Sequence, residues 1–92
     1  MYNVKDLPEL EAKLVEAYKV RNDSDEQGEA FDELIQKITG PSTGLSFNDE
    51  TLKLEIEESF LPDVNGNILN IYKHTGPATG MEVRDGIIQP ID

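Results

Sequence analysis

Apolar positions recur every three or four residues through roughly the first forty positions of this chain, and every second residue soon after. On a wheel of 100° per residue, Leu7, Leu10, Leu14, Ala17 and Tyr18 share one arc of about 100°, with Glu9, Lys13, Glu16 and Lys19 opposite. Asp6-Leu7-Pro8-Glu9 supplies a capping residue, a proline suited to the first turn and an acid near the helix start. These signals predict a helix over about 7–21, with Glu9 and Lys13 as a favourable i, i+4 pair. After the polar break Asn22-Asp23-Ser24, a second helix is expected over about 25–39. Ser24 and Gln27 have capping spacing, and Gly40-Pro41 stops the helix. Its apolar set is Phe31, Leu34, Ile35 and Ile38, so the two helices should form an antiparallel hairpin. Gly28 inside it costs up to about 1 kcal/mol against alanine.

Thr51 to Glu57 alternates polar and apolar without a fault, which predicts a strand over about 51–58 with one wet face. Asn65-Gly66 marks a turn, and a second strand is expected over about 67–74, placing Tyr72 on one face with Ile68 and His74. Asp85-Gly86 between Met81–Arg84 and the run 87–91 predicts a tight type I′ hairpin, with Pro90 placing the last strand at an edge. No internal repeat stands out. The expected architecture is one α+β domain over 1–92: a helical hairpin followed by a three- or four-stranded antiparallel sheet.

Charge changes the picture most. Eight Lys and Arg face nineteen Asp and Glu, a net charge of −11, which disfavours direct binding to nucleic acid or an anionic membrane. The acids are not evenly spread. Asp25, Glu26, Glu29, Asp32 and Glu33 fall in one arc of roughly 120° on the second helix, opposite its apolar set. Over eight residue steps this is about one charge per 2.4 Å of axis, against about one per 1.7 Å for duplex DNA. Asp25/Glu29 and Glu29/Glu33 are like-charge i, i+4 pairs, each unfavourable by a few tenths of a kcal/mol. Glu55, Glu57 and Glu58 form a second acidic run.

Candidate chemistry adds little. With no cysteine there is no disulfide, thiolate metal site or thiol nucleophile. Asp63-Val64-Asn65-Gly66-Asn67 begins like a calcium loop, but Ile68 and His74 stand where such a loop needs glycine and glutamate. Gly76-Pro77-Ala78-Thr79-Gly80 lacks the Lys-Ser/Thr of a phosphate cradle, and the single histidine, His74, has no nucleophile motif around it. No catalytic residue, metal or cofactor is expected. The opening residues carry no apolar leader and no run spans a bilayer, so a cytoplasmic protein is expected. The pattern points to a small protein-binding module, of the character of acidic inhibitors carried by phages and mobile elements. Its acidic helix would occupy the basic surface of a nucleic-acid-binding protein by charge mimicry. The alternative is an assembly adaptor that binds through an apolar edge strand carrying Ile87, Ile88 and Ile91.

Overall fold

The computed structural model describes residues 2–92. A 3-10 turn at Val4–Asp6 leads into α1 (Leu7–Val20), and α2 (Asp25–Ile38) returns antiparallel to it. Ser24 caps α2, its hydroxyl accepting from the Gln27 N–H at 3.2 Å. Gly28 has a local reason to be glycine: a Cβ there would lie 3.1 Å from the Arg21 carbonyl oxygen, where the chain turns between helices.

The rest is three hairpins. β1 (Leu45–Asn48) pairs with β2 (Lys53–Ile56), β3 (Phe60–Pro62) with β4 (Ile68–Asn70), and β5 (Met81–Arg84) with β6 (Ile87–Pro90). A single helical turn, α3 (Ile71–His74), separates the second hairpin from the third. The class is α+β, but the expected single sheet of three or four strands is replaced by three two-stranded antiparallel sheets. The strands are three or four residues long, so each hairpin satisfies its ladder locally before the next begins. Two further expectations are corrected. The strand expected over 67–74 ends at Asn70, whose side-chain oxygen accepts from the Lys73 N–H at 3.0 Å and starts α3 instead. Tyr72 therefore leaves the strand face and stands 82% exposed. The strand expected over 51–58 is shorter because Thr51 and Leu52 belong to the β1–β2 turn, where Leu52 adopts φ +58°. The Asp85-Gly86 turn has φ +57° and +77°, the type I′ geometry its sequence predicts.

The core runs along the chain. Leu14, Ile38, Leu45, Leu54, Phe60 and Ile68 form one buried cluster, with Leu7, Leu10, Leu34 and Ile35 packed against it. Tyr18, Phe31 and Phe47 close one side as an aromatic trio with ring centroids 5.7–6.2 Å apart, tying α1, α2 and β1 together. The Glu11 carboxylate accepts from the Leu54 N–H at 3.0 Å, so a helix side chain satisfies a sheet donor that β1 leaves free. The start of the chain is fastened to the β3–β4 turn: Asn3 Nδ2 donates to Asn65 O at 2.9 Å, and Val4 N to Gly66 O at 2.8 Å. Ile88 is fully buried outside the main cluster. The result is a rod of 54 × 19 × 18 Å with a radius of gyration of 15.5 Å, against about 12 Å for a compact chain of this length.

The structure also reveals an internal repeat that the sequence reading missed. Ile35, Lys37, Thr39, Gly40, Pro41, Thr43 and Gly44 recur as Ile71, Lys73, Thr75, Gly76, Pro77, Thr79 and Gly80, each 36 positions on. The geometry recurs with them. Thr39 and Thr75 each donate a hydroxyl to the carbonyl four residues back, both at 2.5 Å. Gly40 (φ +119°) and Gly76 (φ +124°) each donate their N–H forward at 2.9 Å, to Leu45 O and Met81 O. Glycine is needed there because the backbone must leave the helix through a region that side chains avoid. The hairpins end alike too, Glu57 N donating to Gly44 O and Ile91 N to Gly80 O. Residues 35–57 and 71–91 are thus two versions of one helix-end, loop and hairpin unit, the second keeping only the last turn of the helix.

Candidate functional site

Why α2 carries an acidic face follows from its packing. Phe31, Leu34, Ile35 and Ile38 turn toward the core cluster. The opposite arc is left to water, and there Asp25, Glu26, Glu29, Asp32 and Glu33 are all exposed. The partial positive charge of the capped helix start favours Asp25 and Glu26. Among the described residues, ion pairs join Lys13 to Glu9 and Arg84 to Glu82 and Asp92, and none reaches any of the five. The carboxylates along α2 therefore stand as a row with no ion-pair partner among the described residues.

Two cations lie near them: Lys37, one turn on from Glu33 in the last turn of α2, and Arg21. Arg21, in the turn between the helices, borders a shallow cleft with Asn22, Ser24, Asp25, Gly28, Glu29 and Asp32. Its guanidinium is drawn elsewhere: the central carbon sits 3.6 Å from the Tyr18 ring centroid, and Nη1 donates to Tyr18 O at 2.6 Å. A cation held over an aromatic face and bonded to a carbonyl is not free to fold over Glu29 or Asp32. Arg21 softens the field at the start of the row without neutralising any member. A helical wheel omits it because it precedes the helix.

The second acidic run does not join the first. Glu55 is exposed on β2, on the face opposite Leu54 and Ile56, so it points away from the helical pair. Glu57 lies past the strand end, half-buried, with its N–H donated to Gly44 O at 2.7 Å. Glu58 is exposed in the next turn, beside Ser59 and Tyr72. The α2 row and this run sit on separate elements, the first on α2 and the second on β2 and the turn after it.

The remaining sequence candidates are accounted for by local structure. Asp63 Oδ1 accepts from Asn65 N at 2.8 Å and Asn67 N at 2.9 Å, which closes the β3–β4 turn. Among the described residues no three His, Asp or Glu side chains gather closely enough to hold a metal ion. No helix of the described residues is long and apolar enough to cross a membrane. Of the edge-strand candidates, Ile88 is fully buried and Ile87 half-buried, while Ile91 is exposed and its N–H is bonded to Gly80 O. The chain matches no protein-family model, no curated protein and no solved structure.

Proposed function

We propose that this protein is a small acidic binding module that acts as an inhibitor, its α2 face occupying the nucleic-acid-binding surface of a basic partner protein. The observation that carries the reading is the row of five exposed carboxylates along α2 that no ion pair among the described residues reaches. Such a row tolerates like-charge repulsion at Asp25/Glu29 and Glu29/Glu33, a small stability cost that helix formation alone does not require. Its linear charge density approaches that of duplex DNA, and long-range attraction would steer it toward a cationic groove. The narrow, rod-like shape suits insertion into such a groove. The edge-strand adaptor reading is weaker, because its central residue Ile88 is already consumed by the fold.

The test is capture of proteins from a lysate by immobilised protein at low and moderate salt, beside the Glu29→Lys/Glu33→Lys variant. The expected outcome is a partner retained at low salt, released as salt rises, and not retained by the variant although it stays folded. Equal retention by the two proteins removes the proposal.

A further inference from the structure

The chain carries a single Asn-Gly pair, Asn65-Gly66, in the turn between β3 and β4. In such a pair the glycine amide nitrogen can attack the asparagine side-chain carbonyl, because no Cβ shields it. The other five asparagines precede valine, isoleucine or aspartate, whose side chains crowd that approach.

The pair lies where the start of the chain is fastened. Its central peptide group is bonded on both sides: Asn65 O accepts from Asn3 Nδ2 at 2.9 Å, and Gly66 N donates to Asp63 O at 3.0 Å. Asn65 N donates to Asp63 Oδ1 at 2.8 Å, and Gly66 O accepts from Val4 N at 2.8 Å. Asn65 itself is exposed, so its side-chain carbonyl stands in water while the nitrogen that would attack it is held. Ring closure must swing the Asn65–Gly66 peptide plane until its nitrogen faces Asn65 Cγ, which breaks both bonds of that plane. Glycine is nonetheless required at this position. Gly66 adopts φ +83°, and a Cβ there would lie 2.9 Å from both Asn3 Oδ1 and Val4 Cγ2. The close seating of the chain start thus demands the residue that makes Asn65 labile.

We propose that Asn65 is a site of spontaneous covalent modification and acts as a one-way latch. The Asn3 clasp holds it unreactive, and its conversion to isoaspartate releases the chain start from the β3–β4 hairpin. Gly66 N gives up its proton and bonds to Asn65 Cγ, the Cγ–Nδ2 bond breaks, and the departing nitrogen takes up a proton to leave as ammonia. Water then opens the succinimide ring. Addition at the former side-chain carbonyl gives aspartate, and addition at the main-chain carbonyl gives isoaspartate. Neither route transfers an electron. In isoaspartate the main chain runs through Cβ and Cγ, one atom longer than before, and the former Asn65 carbonyl becomes a free carboxylate. The spacing that pairs Val4 N with Gly66 O, and Ile68 N with Tyr2 O at 2.9 Å, is then lost. The latch is independent of the α2 row and of the proposed charge mimicry.

The experiment ages the full chain in warm, mildly alkaline buffer and follows conversion at Asn65 by peptide mass, which rises by one unit when amide becomes acid. Isomerisation at Asp85-Gly86 leaves the mass unchanged and is not counted. The parent is compared with itself in urea and with Asn3→Ala, whose folding is checked by circular dichroism. Conversion should be slowest in the folded parent. In Asn3→Ala it should run about fivefold faster, the worth of one ordinary hydrogen bond. The isoaspartate form, separated by charge, should exchange its Val4 and Ile68 amides faster than the parent. Asn65→Asp adds the charge without the extra main-chain atom and should keep both amides protected, a comparison that does not depend on Asn3→Ala. Equal rates in the folded parent and in folded Asn3→Ala would overturn the proposal. So would an isoaspartate form whose Val4 and Ile68 amides stay protected.

Discussion

Replacing Gly44 by alanine tests the packing logic of the rod at its tightest point, and Gly80 supplies a control of matched sequence and backbone. Both positions hold φ near +70°, where an L side chain costs about 1–2 kcal/mol. At Gly80 nothing else is disturbed, so Gly80→Ala should destabilise by about that amount. At Gly44 the added methyl overlaps the Phe60 ring, a buried core residue flanked by β4. Overpacking of a settled core adds about 1–3 kcal/mol, bringing the total to about 2–5 kcal/mol. A chain of 92 residues has about 5–14 kcal/mol of stability to lose, so both variants should fold and be measurable. Urea unfolding followed by circular dichroism gives the numbers. Gly44→Ala should lower the midpoint well beyond Gly80→Ala without changing the slope, and lower the melting temperature by on the order of 20 °C. The Phe60→Leu background should recover part of the Gly44→Ala penalty, because the clashing ring is gone. Equal penalties at the two glycines would show that the Phe60 contact is not what distinguishes the units.

Further expectations concern single contacts. Glu11→Ala strands the Leu54 N–H at the helix–sheet junction and should cost about 1–3 kcal/mol in urea unfolding, whereas Glu11→Gln, which keeps an acceptor, should cost clearly less. Leu14→Ala removes a fully buried side chain from the centre of the main cluster, with an expected loss of about 3–5 kcal/mol and a corresponding fall in melting temperature. Glu29→Gln relieves two like-charge pairs at an exposed site and should raise stability by a few tenths of a kcal/mol at low salt, the gain shrinking as salt is added.

Much of the fold is legible in the sequence where one local rule dominates. The 3.6-residue period in α1 and α2, the Ser24 cap and the Asp85-Gly86 turn each leave one local solution, and the chain adopts it. The failures fall where two rules compete. Asn70 is compatible with a strand by position but caps a helix with its side chain, and the cap ends β4. Leu45–Asn48 and Phe60–Pro62 carry too few alternations to register as strands, and are held by partners that periodicity does not reveal. The count of strands suggested one sheet, yet each turn closes its own pair, and short strands leave little edge to share. The repeat escaped notice because its second copy retains one helical turn and places His74 where Ile38 is core. Exposure of the α2 carboxylates was readable from the wheel; the diversion of Arg21 onto Tyr18 was not, since it depends on how the interhelix turn folds back.

The central proposal is that the α2 row takes the place of nucleic acid on a basic partner protein. Competition tests it most directly. With the captured partner bound to immobilised protein at low salt, duplex DNA is titrated in and release is followed. Release that tracks the partner's occupancy by DNA, with no capture by Glu29→Lys/Glu33→Lys, is the predicted result. A complex that stays intact while DNA binds alongside, or full capture by the charge-reversed variant, would contradict it.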